Sequence, residues 1–488
     1  MKSRKLIYGV LVFFAFLTLF AFTFNAVISI SSGIVMPKKG GVFKNVTVIN
    51  PGMNRYYNQT ISIKENSIYS IGKSKKGLKS KKMISGGYAL PGLIDMHVHM
   101  PPQLPGNQVE LFSFLFIAHG VTTVRDMGSF DGSIFKQRKM VKEGKYIGPR
   151  IFTPGYFIDG KNPMWPKSRV AITEEDGRQA VREMAKLGVN FIKVYNNLTP
   201  AALRGIKKEA KAKGLLVAGH VPIAISYKDA SLDDVQHLFG IAPKIKAKKG
   251  KVITVLERFS SWDRLTDQRV NNVINFSVKN NIANTPTLVV LKKLGLMSNY
   301  ELLRKDPAGQ LVPRYYRDII WHPQKGVPTM RVFKTKVCAA INRSFNKRKK
   351  VVKAFYEAKA KLHVGTDMQT PYVVPGASLH EEMKFFLEAG IPLEKIWEMS
   401  TRKAGEYLKV PLLGQLVKGA PADILIFEKD PTKDVENLKT LKAVVSDGRI
   451  YTGEMIDRGL LNYQKQFKGF WYDKFSMFMA TIAMKLMF

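Results

Sequence analysis

The sequence predicts an α/β protein built on a (β/α)8 TIM barrel, with a small composite β-sandwich formed by both ends of the chain and an N-terminal transmembrane helix. Its 488 residues are enough for one large and one smaller domain. Between residues 93 and 367, strand-like runs alternate with helical segments, as in a parallel sheet covered by helices. Alternating strands flank this region, and an uncharged apolar run opens the chain.

Eight apolar runs in the middle of the chain carry the barrel prediction. Eight strands alternating with helices suit a closed parallel barrel, in which chemistry gathers at the carboxyl ends of the strands. The candidate strands are residues 93–99, 121–127, 150–158, 190–195, 216–221, 234–238, 283–288 and 362–367.

The two ends of the chain predict a second, smaller body. Residues 41–90 show period-two alternation with turn residues between the runs, and a matching set returns at residues 405–455. Strands from both ends can pair into one β-sandwich and leave the middle as a separate barrel. The predicted parts are therefore 1–36 (signal anchor), 41–90 (first sandwich part), 91–404 (barrel), 405–455 (second sandwich part) and 456–488 (C-terminal amphipathic tail).

The first 36 residues resemble a membrane anchor. A basic start, Met1 to Lys5, precedes an apolar run that is long enough to cross a bilayer of roughly 30 Å as a helix. The basic end would stay in the cytoplasm. The sequence thus predicts a membrane-anchored protein whose catalytic domain is extracytoplasmic, in the periplasm or outside the cell; secretion after signal cleavage is the alternative.

The last 33 residues are rich in apolar side chains but include Asp473, Lys474 and Lys485. This composition favours an amphipathic helix at a membrane surface over a second span. A terminal helix packed on the barrel is the alternative.

Charge and cysteine content limit the partners. The formal net charge is +39, but no nucleic-acid motif with interleaved aromatics accompanies the basic runs, so nucleic acid is the least favoured partner. Attraction to an anionic membrane and simple solvation of lysines remain open. Because Cys338 is the single cysteine, an intrachain disulfide and a thiolate metal site are excluded. An oligomer is compatible with the sequence.

Ligand-type side chains lie at the ends of the predicted strands. Asp95, His97 and His99 share one face of the first strand, because side chains alternate along a strand. Two imidazoles on one face can hold a metal ion, although a single His-x-His is weak evidence. The downstream candidates, each at the end of its own apolar run, are Lys193, His220, His237 and Asp367.

These segments together resemble the amidohydrolase superfamily, specifically its imidazolonepropionase-like and prolidase-like metal-dependent hydrolases. The resemblance covers roughly residues 41–453, and one departure is Gln236, where relatives usually have an acidic residue. The matching segments are Pro91-Gly-Leu-Ile-Asp-Met-His-Val-His99, Gly120-Val-Thr-Thr-Val-Arg-Asp-Met-Gly128, Phe191-Ile-Lys-Val-Tyr195, Val217-Ala-Gly-His-Val221, Val235-Gln-His-Leu238, Val364-Gly-Thr-Asp367 and Gly376-Ala-Ser-Leu-His-Glu-Glu382.

The resemblance implies a site with two divalent ions. Zinc is expected first, and manganese, cobalt and iron also suit nitrogen and oxygen ligands. Lys193 would bridge the ions as a carbamate formed with CO2, because a free ammonium would repel two dications; an ammonium paired with Asp367 is the alternative. By resemblance, one ion is held by His97, His99 and Asp367, and the other by His220 and His237.

The expected reaction is cleavage of a C–N amide bond in a dipeptide-like, N-acyl amino acid or cyclic amide substrate. A metal-activated hydroxide would attack the carbonyl, and Asp367 would carry the proton to the leaving nitrogen. Tyr195 is a further catalytic candidate that would hydrogen-bond the substrate, with core packing as the alternative. Other functions left open are an ester, lactone or phosphotriester hydrolase, or a catalytically idle membrane-tethered binding protein.

Three further interpretations concern the surroundings of the site. Arg125 and Asp126 are expected to form an ion pair in the barrel. His380 is expected to donate a hydrogen bond to a metal ligand. Residues 311–322 are expected to form a lid, in which arginines such as Arg314 and Arg317 would bind a carboxylate or remain solvated.

Overall fold

The computed structural model of the chain describes residues 29–73, 83–103, 108–165, 167–245 and 254–487. Two sheets of parallel strands, joined through backbone hydrogen bonds, form the centre of the molecule. Their strands are β6 (Leu93–Val98), β7 (Val121–Asp126), β8 (Arg150–Phe152), β9 (Ile158–Asp159), β10 (Arg169–Val170), β11 (Ile192–Val194), β12 (Val217–Gly219), β13 (Asp234–Gln236), β14 (Ala283–Thr285) and β15 (Lys361–Leu362).

Backbone hydrogen bonds connect the two parallel sheets into one ring. One sheet has the order β6-β7-β8 and the other β10-β9-β11-β12-β13-β14-β15. After β15, the Met96 N–H donates to the Val364 carbonyl at 3.0 Å, which brings the last strand run beside the first. On the other side, the Asn190 N–H donates to the Thr153 carbonyl at 2.9 Å. The predicted α/β fold with parallel strands is therefore confirmed.

Helices lie between the strands, and several begin at the side chains that helix capping favours. Thr173, Thr199 and Thr266 each accept a hydrogen bond from the backbone N–H three residues on. The helices are α1 (Gln108–Ala118), α2 (Ile134–Lys142), α3 (Glu174–Lys186), α4 (Pro200–Ala212), α5 (Tyr227–Ala230), α6 (Val255–Ser260), α7 (Asp267–Lys279), α8 (Leu288–Leu296), α9 (Tyr300–Arg304), α10 (Thr335–Glu357), α11 (Ala377–Glu388), α12 (Leu393–Met399), α13 (Arg402–Tyr407), α14 (Gly453–Lys468) and α15 (Phe470–Met487).

Strands from both ends of the chain form one further sheet. It follows the order β18-β17-β16-β5-β1-β2-β3, with β4 paired to β1. Leu425 of β16 pairs with Leu90 of β5, so the late strands join the early ones directly. The strands are β1 (Gly41–Ile49), β2 (Arg55–Lys64), β3 (Ser67–Lys73), β4 (Met83–Ser85), β5 (Tyr88–Pro91), β16 (Ile424–Phe427), β17 (Leu441–Ser446) and β18 (Arg449–Thr452).

The connection from α8 to β15 contains short helices and the 23-residue helix α10. Within the predicted lid, residues 316–320 form a π-helix turn. Arg314 donates to Asp318 and to Asp473 of α15, so its charge is already paired. The expectation that Arg314 binds a carboxylate of a ligand was therefore wrong.

The predicted membrane anchor requires correction. Among the described residues, no helix combines the length and the apolar character that a membrane crossing needs. Residues 29–36 contain no helix, and residues 1–28 of the predicted anchor lie outside the described residues. This finding counts against the predicted transmembrane helix and contradicts the membrane-anchored, extracytoplasmic localisation. The described part of the predicted tail, residues 456–487, contains most of α14 and all of α15. In α15, Tyr472 is buried and Trp471 is 75% exposed.

Candidate metal centre

The ends of five parallel strands, β6, β11, β12, β13 and β15, bring the candidate ligands to one edge of the barrel. Lys193 of β11 pairs in register with Ala218 of β12, and Gly219 pairs with Val235 of β13. His220 and His237 directly follow β12 and β13, so they emerge at the same edge. In a parallel barrel this edge is where catalytic residues collect.

Gly219 explains how β11 and β12 end so close together. Its φ is +149°, and a Cβ atom at this position would lie 2.1 Å from the carbonyl oxygen of Val194. Only glycine avoids this overlap. The sequence Val217-Ala-Gly-His220 therefore sets the position of the histidine that follows.

Four imidazole rings lie in a continuous row. The ring centroids of His99 and His97 are 5.3 Å apart, those of His97 and His237 are 4.8 Å apart, and those of His237 and His220 are 4.8 Å apart. All four predicted histidine ligands are thus brought together at the strand ends.

Asp367 lies beside three of these rings. One carboxylate oxygen is 3.1 Å from His97 Nε2 and 3.4 Å from His99 Nε2, and the other is 4.0 Å from His237 Nδ1. Burial alone would raise the pKa of Asp367, but His237 and His97 hold it well below its usual range. Asp367 is consequently an anion. His97, His99 and Asp367 offer ligand atoms that all lie within 4.8 Å of one another, and His220 and His237 extend the group.

Hydrogen bonds fix the tautomers of two histidines. His99 Nδ1 lies 3.0 Å from the Gly128 carbonyl oxygen, and His220 Nδ1 lies 2.9 Å from Asn196 Oδ1. Because these oxygens can only accept, each Nδ1 carries a proton, which leaves Nε2 as the nitrogen that can bind a metal ion. Such outer partners orient metal-binding imidazoles in proteins.

The remaining two histidines also suit metal binding. His237 Nδ1 is 2.7 Å from the Thr287 hydroxyl, and burial lowers the pKa of His237 to about 3, so the ring is neutral. His97 is fully buried; among the described residues its Nδ1 has no hydrogen-bond partner, and its Nε2 faces the Asp367 carboxylate at 3.1 Å without the geometry of a hydrogen bond. A buried polar atom without a partner calls for an explanation, and a cation between Nε2 and the Asp367 carboxylate supplies one. The residues present therefore fit a divalent ion.

Lys193 is fully buried within this cluster. Its Nζ donates to Gln236 Oε1 at 2.5 Å and lies 5.7 Å from the centroid of the Tyr195 ring. Burial lowers the pKa of Lys193 to about 7, against the attraction of Asp367. A large share of the neutral amine is therefore present near neutral pH. The side chain that accepts this hydrogen bond belongs to Gln236, the position at which relatives usually have an acidic residue.

Tyr195 packs against the row of histidines. Its ring stacks on His220 with centroids 4.1 Å apart, and its hydroxyl accepts a hydrogen bond from Trp165 Nε1 at 3.2 Å. The hydroxyl keeps its own proton, because burial raises the pKa of Tyr195 above its ordinary value. The tyrosine thus contributes packing and keeps an O–H available for donation.

An aromatic wall closes the side of the site next to His99. Phe130 and Phe157 each lie 5.6 Å from His99, centroid to centroid. Trp165 contacts Phe130 at 4.7 Å and connects the wall to Tyr195. The site therefore has one apolar flank.

Two proposed ligands and the hydrogen-bond partner of one of them occupy strained backbone positions. His237, Thr287 and Asp367 have φ values of +57°, +51° and +63°, in the left-handed region that residues other than glycine rarely adopt. Such strain collects at functional sites, where the surrounding structure maintains it.

A buried ion pair lies inside the barrel below the metal centre. Arg125 Nη2 donates to Asp234, and both side chains are almost completely buried. Asp126, by contrast, accepts from the Met100 N–H and the Thr153 hydroxyl. The expected pair of Arg125 with Asp126 was wrong, because adjacent residues of a strand point to opposite faces.

His380 does not touch the proposed ligands. Its Nε2 lies 2.9 Å from the carbonyl oxygen of His119, and the two imidazole rings are neighbours. The expectation that it donates to a ligand was therefore wrong. Asn196 and Thr287, which do contact ligand histidines, were missed. The only available signal was their position, since each is a polar residue shortly after a strand end.

A model of the amidohydrolase family matches residues 88–451 of the chain. The chain belongs to the amidohydrolase family. The predicted superfamily is thereby confirmed, and the protein is a hydrolase of that superfamily. A curated relative, dihydroorotase of Clostridioides difficile (strain 630), is 45% identical over 60 residues, which cover 12% of this chain and 14% of the relative.

Solved structures show the same fold for this amidohydrolase. A bottromycin amidohydrolase superposes with a TM-score of 0.68 at 20% identity, covering 88% of this chain and 90% of its own. A Xaa-Pro dipeptidase with methionine bound in its active site superposes with a TM-score of 0.62 at 19% identity, covering 84% of this chain and 99% of its own. At these identities the likeness concerns the fold alone.

Proposed function

We propose that this amidohydrolase is a metal-dependent enzyme that cleaves a C–N amide bond in a small dipeptide-like, N-acyl amino acid or cyclic amide substrate. One observation carries the proposal: four imidazole rings lie in a row beside an anionic Asp367, with the Nδ1–H of two of them fixed by protein acceptors. Imidazole nitrogens with free lone pairs beside a carboxylate are a donor set for zinc.

Six side chains would hold two divalent ions. Lys193 would react as a neutral amine with CO2 to form a carbamate and release a proton, and the single negative charge shared by the two carbamate oxygens would help to hold the ions. When bound, the ions would lower the pKa of a water molecule and polarise the carbonyl group of the substrate. His97, His99 and Asp367 would hold one ion, and His220 and His237 the other.

Asp367 is the proton carrier in this proposal. Its carboxylate lies at the centre of the ligand group, and the Thr370 hydroxyl lies 3.4 Å from one of its oxygens. It accepts a proton from the water that attacks the carbonyl carbon and delivers it to the leaving nitrogen. That delivery matters because an amine leaves readily only when it departs as a neutral group.

Tyr195 and the aromatic wall position the substrate. The Tyr195 O–H, oriented by Trp165, donates to the substrate carbonyl oxygen as negative charge develops there. The wall of Phe130, Phe157 and Trp165 receives an apolar group of the substrate and excludes water on that side.

The test uses the full chain, purified with zinc and bicarbonate, against a panel of dipeptides, N-acyl amino acids, cyclic amides, esters and lactones. Asp367→Asn is expected to lower kcat on the best amide by about 10² to 10⁴, the usual contribution of general acid–base catalysis, when it is assayed at saturating zinc, because Asp367 is also a proposed zinc ligand. Asp267→Asn makes the same change at an exposed residue and should leave kcat unchanged.

The panel also decides between reaction classes. A preference for esters, lactones or phosphotriesters would replace the amide assignment, because the same two ions would polarise those centres. Two bound ions per chain without turnover of any substrate would favour a binding protein instead.

A further inference from the structure

A small cavity lies next to the candidate metal centre, beyond the ends of β12 and β13. Its volume is about 80 Å³, and Val221 and Leu238 form part of its apolar wall. Among the described residues that line it, none is acidic. Four are cationic: Lys244, Arg258, Arg269 and Arg348.

Two of these cations are already satisfied by the protein. Lys244 Nζ donates to the Ala224 carbonyl at 2.6 Å. Arg269 donates to the carbonyl oxygens of Gly240, Ile241 and Ala242. Their positive ends need no further partner.

Arg348 differs from them. It comes from the middle of α10, its exposed fraction is 1%, and its Nε donates to Ser344 Oγ at 3.2 Å, while its Nη1 has no hydrogen-bond partner in the part of the chain that the structure describes. Its guanidinium lies 3.8 Å from the centroid of the Trp262 ring, and burial lowers its pKa to about 9. A buried charge without an anion is unfavourable unless a ligand supplies one.

Arg258 connects the cavity to the metal centre. Its guanidinium lies 3.6 Å from the centroid of the Phe239 ring, whose other neighbours are His220 at 4.8 Å and His237 at 5.0 Å. Its Nη1 donates to Asn196 Oδ1 at 3.2 Å, the same oxygen that fixes His220. A single amide oxygen therefore separates the guanidinium from a proposed metal ligand.

We propose that this cavity, the arginine pocket of Arg258 and Arg348, binds the free carboxylate of the substrate. Guanidinium groups match carboxylates through parallel N–H donors, and the aromatic rings that cover their faces leave their edges for this contact. The cavity is too small for a whole substrate, so the amide bond lies over the metal centre. This inference rests on the proposed function and narrows it to N-acyl amino acids and dipeptides with a free C-terminal carboxylate.

The first test compares an N-acyl amino acid with its C-terminal carboxamide. Arg348→Met is expected to lower kcat/KM for the acid by about 10- to 100-fold, mainly through KM, because a charge-assisted hydrogen bond is lost. The value of kcat/KM for the carboxamide should be unchanged. For the acid, kcat/KM of Arg348→Lys should lie between the values for Arg348→Met and for the wild-type chain. Equal losses of kcat/KM for the acid and the carboxamide would refute the proposal that the arginine pocket binds the carboxylate.

Arg343→Met is the matched control. Arg343 lies on the same helix but is 56% exposed and pairs with Asp263, so the variant removes one positive charge outside the pocket. It should leave kcat/KM for the acid unchanged. A loss equal to that of Arg348→Met would show that the effect is one of overall charge, against the proposal.

A second test needs no turnover. Calorimetric titration with N-acetylalanine and, separately, acetate should show saturable binding to the wild-type chain and to Arg343→Met, and at least about tenfold weaker binding to Arg348→Met. Tighter binding of N-acetylalanine than of acetate would support a pocket that recognises the carboxylate end of a substrate. Equal binding would indicate a site for free anions and would overturn the proposed role of the pocket. Binding without hydrolysis of any amide would refute the proposed function alone; hydrolysis without carboxylate preference would refute the pocket alone.

Folding of Arg348→Met is checked in the same samples. Removal of a buried charge that lacks an anion should leave the thermal midpoint equal to or above that of wild type. A clearly lower midpoint, with acid and carboxamide equally affected, would show that the arginine is structural.

Discussion

Asn196 is predicted to control the affinity of the second metal ion. Its Oδ1 accepts from His220 Nδ1 at 2.9 Å and from Arg258 Nη1 at 3.2 Å, so Asn196→Ala removes the acceptor that fixes the His220 tautomer. Loss of such an outer partner lowers metal affinity by about 10- to 100-fold. That range corresponds to about 1.4 to 2.8 kcal/mol.

The assay is a zinc titration of the metal-free chain in competition with a coloured chelator. Asn196→Ala should lower the affinity for the ion at His220 and His237 and leave the affinity for the ion at His97 and His99 nearly unchanged. Asn196→Asp keeps an acceptor and should retain both affinities. Asn197→Ala is the control, since this exposed neighbour donates to the Asn162 carbonyl. Unchanged zinc binding in Asn196→Ala would refute the reasoning.

Three other predictions concern the scaffold. Asp234→Ala leaves the buried Arg125 without its anion and should lower the free energy of unfolding by about 3 to 5 kcal/mol in urea titrations; a loss below 1 kcal/mol would contradict this. Burial raises the pKa of Glu382 to about 8, so stability should fall as the pH rises from about 4.3 toward 8, and Glu382→Gln should flatten that fall between pH 5.5 and 7.5; parallel curves would argue against it. Gly219→Ala places a methyl group against the Val194 carbonyl and should lower both the thermal midpoint and zinc binding, whereas a wild-type midpoint would show that the strands can separate without cost.

The barrel and its ligand-bearing edge could be predicted because they follow from local patterns. The run at residues 93–99 contains β6, and period-two alternation places His97 and His99 on one face. Parallel strands end at a common edge, so residues that follow other strands, such as His220 and His237, were expected nearby. No long-range information was needed for this step.

Partners across the barrel could not be predicted from neighbours in sequence. Arg125 pairs with Asp234, 109 residues away, because its side chain points into the barrel. Thr287 reaches His237 through a left-handed backbone turn that its residue type does not indicate. Both contacts depend on strand register and loop conformation.

Arg348 carried a signal that was not used. It lies between Phe345 and Val352 on the buried face of α10, at the spacing of an apolar helix stripe. A cation at a core position of such a stripe indicates either a buried partner or a ligand. Its partner-free nitrogen became visible only in the folded chain.

The most direct test of the central claim is anomalous diffraction at the zinc edge from crystals of the zinc-loaded, bicarbonate-treated chain. The account predicts two peaks about 3.5 to 4 Å apart at the carboxyl ends of the strands. One peak should lie among His97, His99 and Asp367, the other beside His220 and His237, with density for a carbamate on Lys193 between them. Peaks elsewhere, or none within reach of the four imidazoles, would contradict it.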